Sequence, residues 1–167
     1  MADDPANGPV VFAVDAGTTG VRAFAVDLDG RPVGRSYREF TQHFPQPGWV
    51  EHDATEIWET TRTVLAELHS QLDRPVAAVG ITDQRETIVA WDRRTGFPLA
   101  RAIVWQDRRT AALCDGLVDS GELPRIRELT GLVLDPYFSA SKMQWLLRHG
   151  DVTSGGLGKS TGRRGRG

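Results

Sequence analysis

Disulfides, membrane spans and a strong charge of either sign are all missing from this sequence. Its single cysteine, Cys114, has no intramolecular partner, so nothing in the chain draws on an oxidising compartment. No run approaches the roughly 18 apolar residues that a transmembrane helix needs. The opening MADDPANGP is short and acidic, unlike a secretory leader. These absences predict a cytoplasmic protein with no membrane partner. A net charge of −2 supplies no overall field to attract nucleic acid. The four histidines (His43, His52, His69, His149) and Cys114 fall at no metal-ligand spacing. Lysine is scarce as well: Arg outnumbers Lys 18 to 2, which we read as coding bias.

What is present fits a soluble domain. The 167 residues are 40% hydrophobic and 25% charged, enough for one sizeable core. Val10–Val14, Val21–Val26 and a run near Val33–Phe40 read as an antiparallel meander, with DLDG as a turn. Asp53 is placed to cap a helix, with Glu56 as its capping-box partner. Ile57, Thr61, Val64, Leu65, Leu68 and Leu72 then form one buried helical stripe. PVAAVGI (75–81) reads as a buried strand. TIVAWD (87–92) and LARAIVW (99–105) read as a hairpin around RRTG. Helices are predicted from about Asp107 to Asp119, with Leu113, Leu117 and Val118 inward, from about Glu122 to Leu129, and from Ser139 to His149, stopped by Gly150 as C′ residue. The chain is therefore α/β with a mixed sheet. Residues 1–9 and 150–167 are expected to be disordered; the second stretch holds seven glycines and carries +3 against −5 for residues 1–149.

Four stretches carry possible chemistry. In DAGTTG, a Gly-Thr-Thr-Gly turn offers backbone N–H groups and two hydroxyls to phosphate oxygens, and Asp15 suits a divalent cation between acid and phosphate. An ordinary hairpin turn is the plainer reading of those six residues alone. In ITDQRETIVAW, five polar residues separate two apolar runs. Arg85 supplies donors and Glu86 acceptors, a pair suited to a polyol; a solvated surface pair is the alternative. In LVLDPYFSASK, Tyr137 offers a phenol, and Trp105 an indole face for a carbon backbone, with core packing open for both. GGLGKST near the C-terminus lacks the P-loop's first glycine, because position 153 is Thr, and no strand precedes it. No catalytic Ser/His/Asp set can be assembled.

DAGTTGVRA, PQPGWVEHD, GITDQRET, ETIVAWDRRTG, AIVWQDRRT and TGLVLDPYFSASKMQWLL occur together and in order. In this combination the sequence, from about residue 11 to 149, resembles the N-terminal part of the glycerol kinases, a branch of the FGGY carbohydrate-kinase family. The resemblance implies an incomplete N-terminal domain of the actin-like, ribonuclease-H-like ATPase fold over residues 10–149. It also implies transfer of phosphate from ATP to glycerol, with ATP and Mg²⁺ as cofactors. By the same resemblance Asp15 matches the magnesium-side acid. Thr18, Thr19 and Gly20 match the phosphate-cradling loop, and Arg22 its basic neighbour. Arg85, Glu86 and Tyr137 match the ligands of the glycerol hydroxyls, and Trp105 the aromatic wall beside the carbons. Full-length relatives are expected to be homo-oligomers.

Departures accompany the likeness. Ala16 stands where many glycerol kinases have Gln, and Asp83 where many have Asn. The family's general-base aspartate has no match in this chain, and the ending from Gly150 resembles no part of the family. The expectation is that the isolated chain turns over no glycerol. A non-catalytic truncated product, or another FGGY carbohydrate kinase, is the alternative reading.

Overall fold

The computed structural model describes residues 8–150 and 152. The chain opens with three strands, β1 (Val10–Ala16), β2 (Gly20–Val26) and β3 (Pro32–Glu39), each antiparallel to the one before it. The Asp27 carboxylate closes the β2–β3 turn by accepting from the backbone N–H groups of Asp29 and Arg31. Helix α1 (Ala54–Ser70) follows, then strand β5 (Val76–Thr82), which lies parallel to β1 and completes a sheet of order β3-β2-β1-β5. Two short strands, β4 (Glu51–His52) and β6 (Ala102–Ile103), pair separately. Helices α2 (Ala111–Asp119), α3 (Leu123–Thr130) and α4 (Ser139–His149) close the described chain.

The main core forms where alternate residues of the meander meet the apolar stripe of α1. Val10, Phe12, Val14, Val21, Ala23 and Ala25 pack with Phe40, Val64 and Leu68, while Ile57, Leu65 and Leu72 border them. A Cβ on Gly34 would come within 3.1 Å of Leu68 Cδ1, so the missing side chain lets α1 settle on β3. Glu67 of α1 ties down the same strand, accepting from Ser36 Oγ (2.6 Å) and from the Arg38 guanidinium. A second, smaller core joins Ile88, Ile103 and Leu146.

Much of WVEHD and VWQDRR serves this architecture. The Arg109 side chain is 2% exposed and lies over the rings of Trp49 and Trp145, at 3.8 and 4.6 Å from their centroids. It bonds Asp107 and Glu51, and Asp107 also accepts from Val50 N at 2.7 Å. A buried guanidinium with two carboxylates and two aromatic faces is fully compensated.

Several expectations need correcting. The strand at 76–82 exists, but it is not buried: Val76 is half-buried and every later residue is exposed, because no described element covers it. Helix α2 begins at Ala111 rather than near Asp107, since Asp107 is committed to Val50 and Arg109. Val118 faces outward, at 42% exposure. Asp53 caps α1 through Thr55 N and Glu56 N, but Glu56 makes no reciprocal box; its carboxylate instead takes the N–H and hydroxyl of Thr41. Gly150 follows α4 with an extended φ of −78°, not the left-handed form. The 87–105 hairpin is held by the Ile88–Ile103 and Trp91–Pro98 bridges rather than by two long strands. Apart from residues 8, 9, 150 and 152, the segments expected to be disordered, and GGLGKST with them, lie outside the described residues.

Candidate active site

Strands β1 and β5 are neighbours and parallel, with Asp15 level with Thr82, so their C-terminal ends deliver two loops to one place. That is where open α/β sheets bind ligands, because the strand ends expose loop backbone without another strand to cover it. A hollow of about 300 Å³ lies there, lined by Asp15, Gly17, Thr18, Asp83, Gln84, Arg85, Trp105 and Tyr137. A larger hollow of about 540 Å³, beside Trp58, Trp91 and Phe97, is lined by none of the candidate site residues.

Of those residues the structure brings together Asp15, Thr18, Arg85, Trp105 and Tyr137. Trp105 Nε1–H donates to Thr18 Oγ1 at 3.0 Å, and its ring meets Tyr137 edge to face at 5.9 Å. Thr18 therefore keeps its own hydroxyl proton for another acceptor. Arg85 forms no hydrogen bond or ion pair with another described side chain, and the same holds for Asp15.

Glu86, Thr19, Gly20 and Arg22 do not line the hollow. Glu86 has a left-handed φ of 66°, an uncommon backbone state for a non-glycine residue. The bend turns its Oε2 to the start of α4, where it accepts from Ser139 N (2.8 Å) and Ser139 Oγ (2.7 Å). The Ser139 hydroxyl and then its backbone N–H hold the carboxyl below the usual range against the opposing effect of burial, with smaller contributions from Lys142 and Arg85. Oε1 of Glu86 has no hydrogen bond to another described residue. Arg22 lies on β2 over the ring of Tyr37, 5.3 Å from its centroid. A Cβ on Gly20 would sit 2.4 Å from Arg38 O, so this glycine is required by the approach of β3. Neither Gly17 nor Gly20 has a positive φ, so the turn does not form a nest of alternating handedness.

Sequence reasoning passed over the residues that hold the loop in place. Gln84 Nε2 donates to Gly17 O (2.8 Å) and faces His52 Nδ1 (3.3 Å), while its Oε1 accepts from Thr87 Oγ1. Gln42 Nε2 donates to Thr18 O at 2.9 Å. Thr87 Oγ1 also accepts from Trp105 N. Lys142, fully buried, donates from Nζ to the carbonyls of Pro136, Tyr137 and Phe138 and so shapes the turn bearing Tyr137; burial lowers its pKa. Gln42 with Thr18, Gln84 with Gly17 and Thr87 with Trp105 lie far apart in the sequence; Gln84, Thr87, His52 and Lys142 stand inside stretches already singled out but had no role there, and Gln42 stands outside them.

Asp15 is one oxygen donor beside a hydroxyl loop, and the described residues contain no group of three or more His, Cys, Asp or Glu that could hold a metal. A single carboxylate suits Mg²⁺, which commonly arrives with phosphates and keeps several waters. Asp83 adds a second acid to the rim, and Arg85 is the one cation of the lining.

Comparison with known proteins gives the family and the fold. The sequence profile of the FGGY family of carbohydrate kinases, N-terminal domain, matches residues 10–154. A glycerol kinase from Alcanivorax borkumensis is 51% identical over 142 residues, covering 83% of this chain and 29% of that protein. One from Acaryochloris marina is 54% identical over 141 residues, covering 82% and 28%. Among solved structures, Plasmodium falciparum glycerol kinase with ADP matches with TM-score 0.80 and 32% identity, over 86% of this chain and 30% of that one. A xylulose kinase from Rhodospirillum rubrum matches with TM-score 0.76 and 29% identity, over 84% and 30%. The chain thus spans less than a third of the length of these relatives. The partial mixed sheet with α1 on one face is the actin-like, ribonuclease-H-like arrangement expected from the sequence.

Proposed function

We propose that this chain, which belongs to the FGGY family of carbohydrate kinases, contributes the glycerol seat and part of the phosphate side of an ATP-dependent glycerol kinase. One observation carries the reading: Asp15 at the end of β1 and Thr18 in the loop after it line a single small hollow together with Arg85, Trp105 and Tyr137. The net reaction joins a glycerol hydroxyl oxygen to the γ-phosphorus of ATP, breaks the bond to the β-phosphate oxygen, and releases the hydroxyl proton. Little covalent work falls to the protein; alignment and charge neutralisation dominate.

In this reading Arg85 donates its fork to glycerol hydroxyl oxygens and Oε1 of Glu86 accepts a hydrogen bond from a glycerol hydroxyl. The Tyr137 phenol adds one bond, and the Trp105 face excludes water from the carbons. The Thr18 hydroxyl, already accepting from Trp105, donates to phosphate; Thr19, Gly20 and Arg22 do not line the hollow. Asp15 would hold Mg²⁺ on its protein side, and the ion would supply neutralisation of the phosphate charge. No residue of the chain is assigned as the base that takes the hydroxyl proton, so a coupled assay of residues 1–167 is expected to read no turnover above blank.

Binding is the direct test. Titration of glycerol into the chain, read by Trp105 fluorescence, should give a saturable change that Arg85→Ala weakens. A saturable response to xylulose with none to glycerol would move the chain to another FGGY sugar kinase. No response to either would remove the reading. A cytoplasmic site and a homo-oligomeric full-length enzyme belong to the same proposal; among the described residues no helix is long and apolar enough to cross a membrane.

A further inference from the structure

The loop after β1 is held by a closed chain of side-chain hydrogen bonds whose centre is a buried histidine. His52 is 0% exposed. Its Nε2 lies 2.6 Å from Gln42 Oε1, and its Nδ1 lies 3.3 Å from Gln84 Nε2. Gln42 Nε2 donates to Thr18 O and Phe40 O, and Gln84 Nε2 donates to Gly17 O. Backbone carbonyls only accept, so each amide must aim its NH₂ at the loop. Gln42 then presents oxygen to the ring, and Gln84 presents nitrogen. One ring state alone satisfies both, the neutral tautomer with hydrogen on Nε2 and a lone pair on Nδ1. The opposite tautomer sets hydrogen against hydrogen at Gln84 and lone pair against lone pair at Gln42. Turning the amides to suit it would withdraw donors from Gly17 O and Thr18 O, while a buried unpaired group is costly.

We infer that His52 is a positioning residue: through Gln42 and Gln84 it fixes the carbonyls of Gly17 and Thr18, and so sets where the Thr18 hydroxyl stands against Trp105. The inference rests on the proposed function only in giving that loop a phosphate to meet; the loop's geometry is independent of it.

The test compares His52→Leu, which removes both ring hydrogen bonds, with His52→Gln, whose amide can offer one acceptor and one donor in the same place. The readout in the full 167-residue chain is hydrogen exchange of the Trp105 indole N–H, assigned by its loss in Trp105→Phe. His52→Leu should speed that exchange by roughly tenfold, the scale of two net hydrogen bonds, and His52→Gln should restore it. Unchanged exchange in a folded His52→Leu chain, or equal loss in a folded His52→Gln chain, overturns the inference. Should His52→Leu fail to fold, nitrogen shifts of the native ring decide: hydrogen on Nε2 supports it, and hydrogen on Nδ1 refutes it. Glycerol titration of the unmodified chain runs alongside; its failure would sink the functional reading and leave the Trp105 result standing.

Discussion

Strands β1 and β5 lie side by side, run the same way and end at the same hollow, yet the chain treats them oppositely. Val10, Phe12 and Val14 of β1 are at most 3% exposed, whereas Val79 and Ile81 of β5 are 51% and 65% exposed. Their sequences, VVFAVDA and VAAVGIT, are equally apolar. A β-branched run specifies a strand; burial is decided by what covers it, and α1 covers β1 but not β5. The two walls of the site are therefore anchored by different means. The β1 wall stands on packed core. The β5 wall is steadied beyond its end by Gln84, through its bonds to Gly17, His52 and Thr87.

Removing bulk from the packed wall should have the largest effect. Phe12→Ala is expected to cost about 3–5 kcal/mol, the usual range for a buried aromatic cut to alanine. Chemical denaturation measures it, and a loss near 1 kcal/mol would show that β1 is not the anchor.

Acid should come next, acting on the polar clamp between the walls. Burial, with the nearby charge of His43 adding to it and Glu56 opposing, lowers the pKa of His52 to about 4 from the ordinary 6.5. Between those values the unfolded ring binds a proton that the folded ring refuses. Stability therefore falls as pH drops through this window, by up to about 3 kcal/mol, and this contribution flattens below pH 4. Melting curves of wild type and His52→Gln across the window should converge toward its acid end; parallel curves would count against the clamp. Glu67, Glu86 and Asp92, whose carboxyls are held low by their partners, lose their contributions at lower pH.

Arg85→Ala separates site from scaffold. It should weaken glycerol binding by about 1.5–3 kcal/mol, the scale of charge-assisted hydrogen bonds, and leave the melting temperature nearly unchanged. The smallest effect belongs to the uncovered strand: Ile81→Ala should change stability by about 0.5 kcal/mol or less. A cost like that of Phe12→Ala would mean that something covers β5 in solution.

Local patterns were legible where local forces decide. The meander, the Asp53 cap and the Ile57–Leu72 stripe follow from alternation, a short acid and helical spacing, and the structure contains all three. Asp15, Thr18, Arg85, Trp105 and Tyr137 were found as separate motifs, and only the resemblance joined them. Illegible were pairings that depend on distance: Gln84 with Gly17, Gln42 with Thr18, and Glu56 with Thr41. Each amide or acid looks like a solvated surface residue until its partner is known. Arg22 shows the converse limit, since a basic residue near the loop in sequence lies over Tyr37 in space.

Lys142 is one of only two lysines in the sequence, and its amine is roofed by three carbonyls at the first turn of α4. An acylating reagent meets that nitrogen only while the turn stands open. Read apart from Lys159 and the N-terminal amine by peptide mapping, its labelling rate would count how often the turn bearing Tyr137 opens.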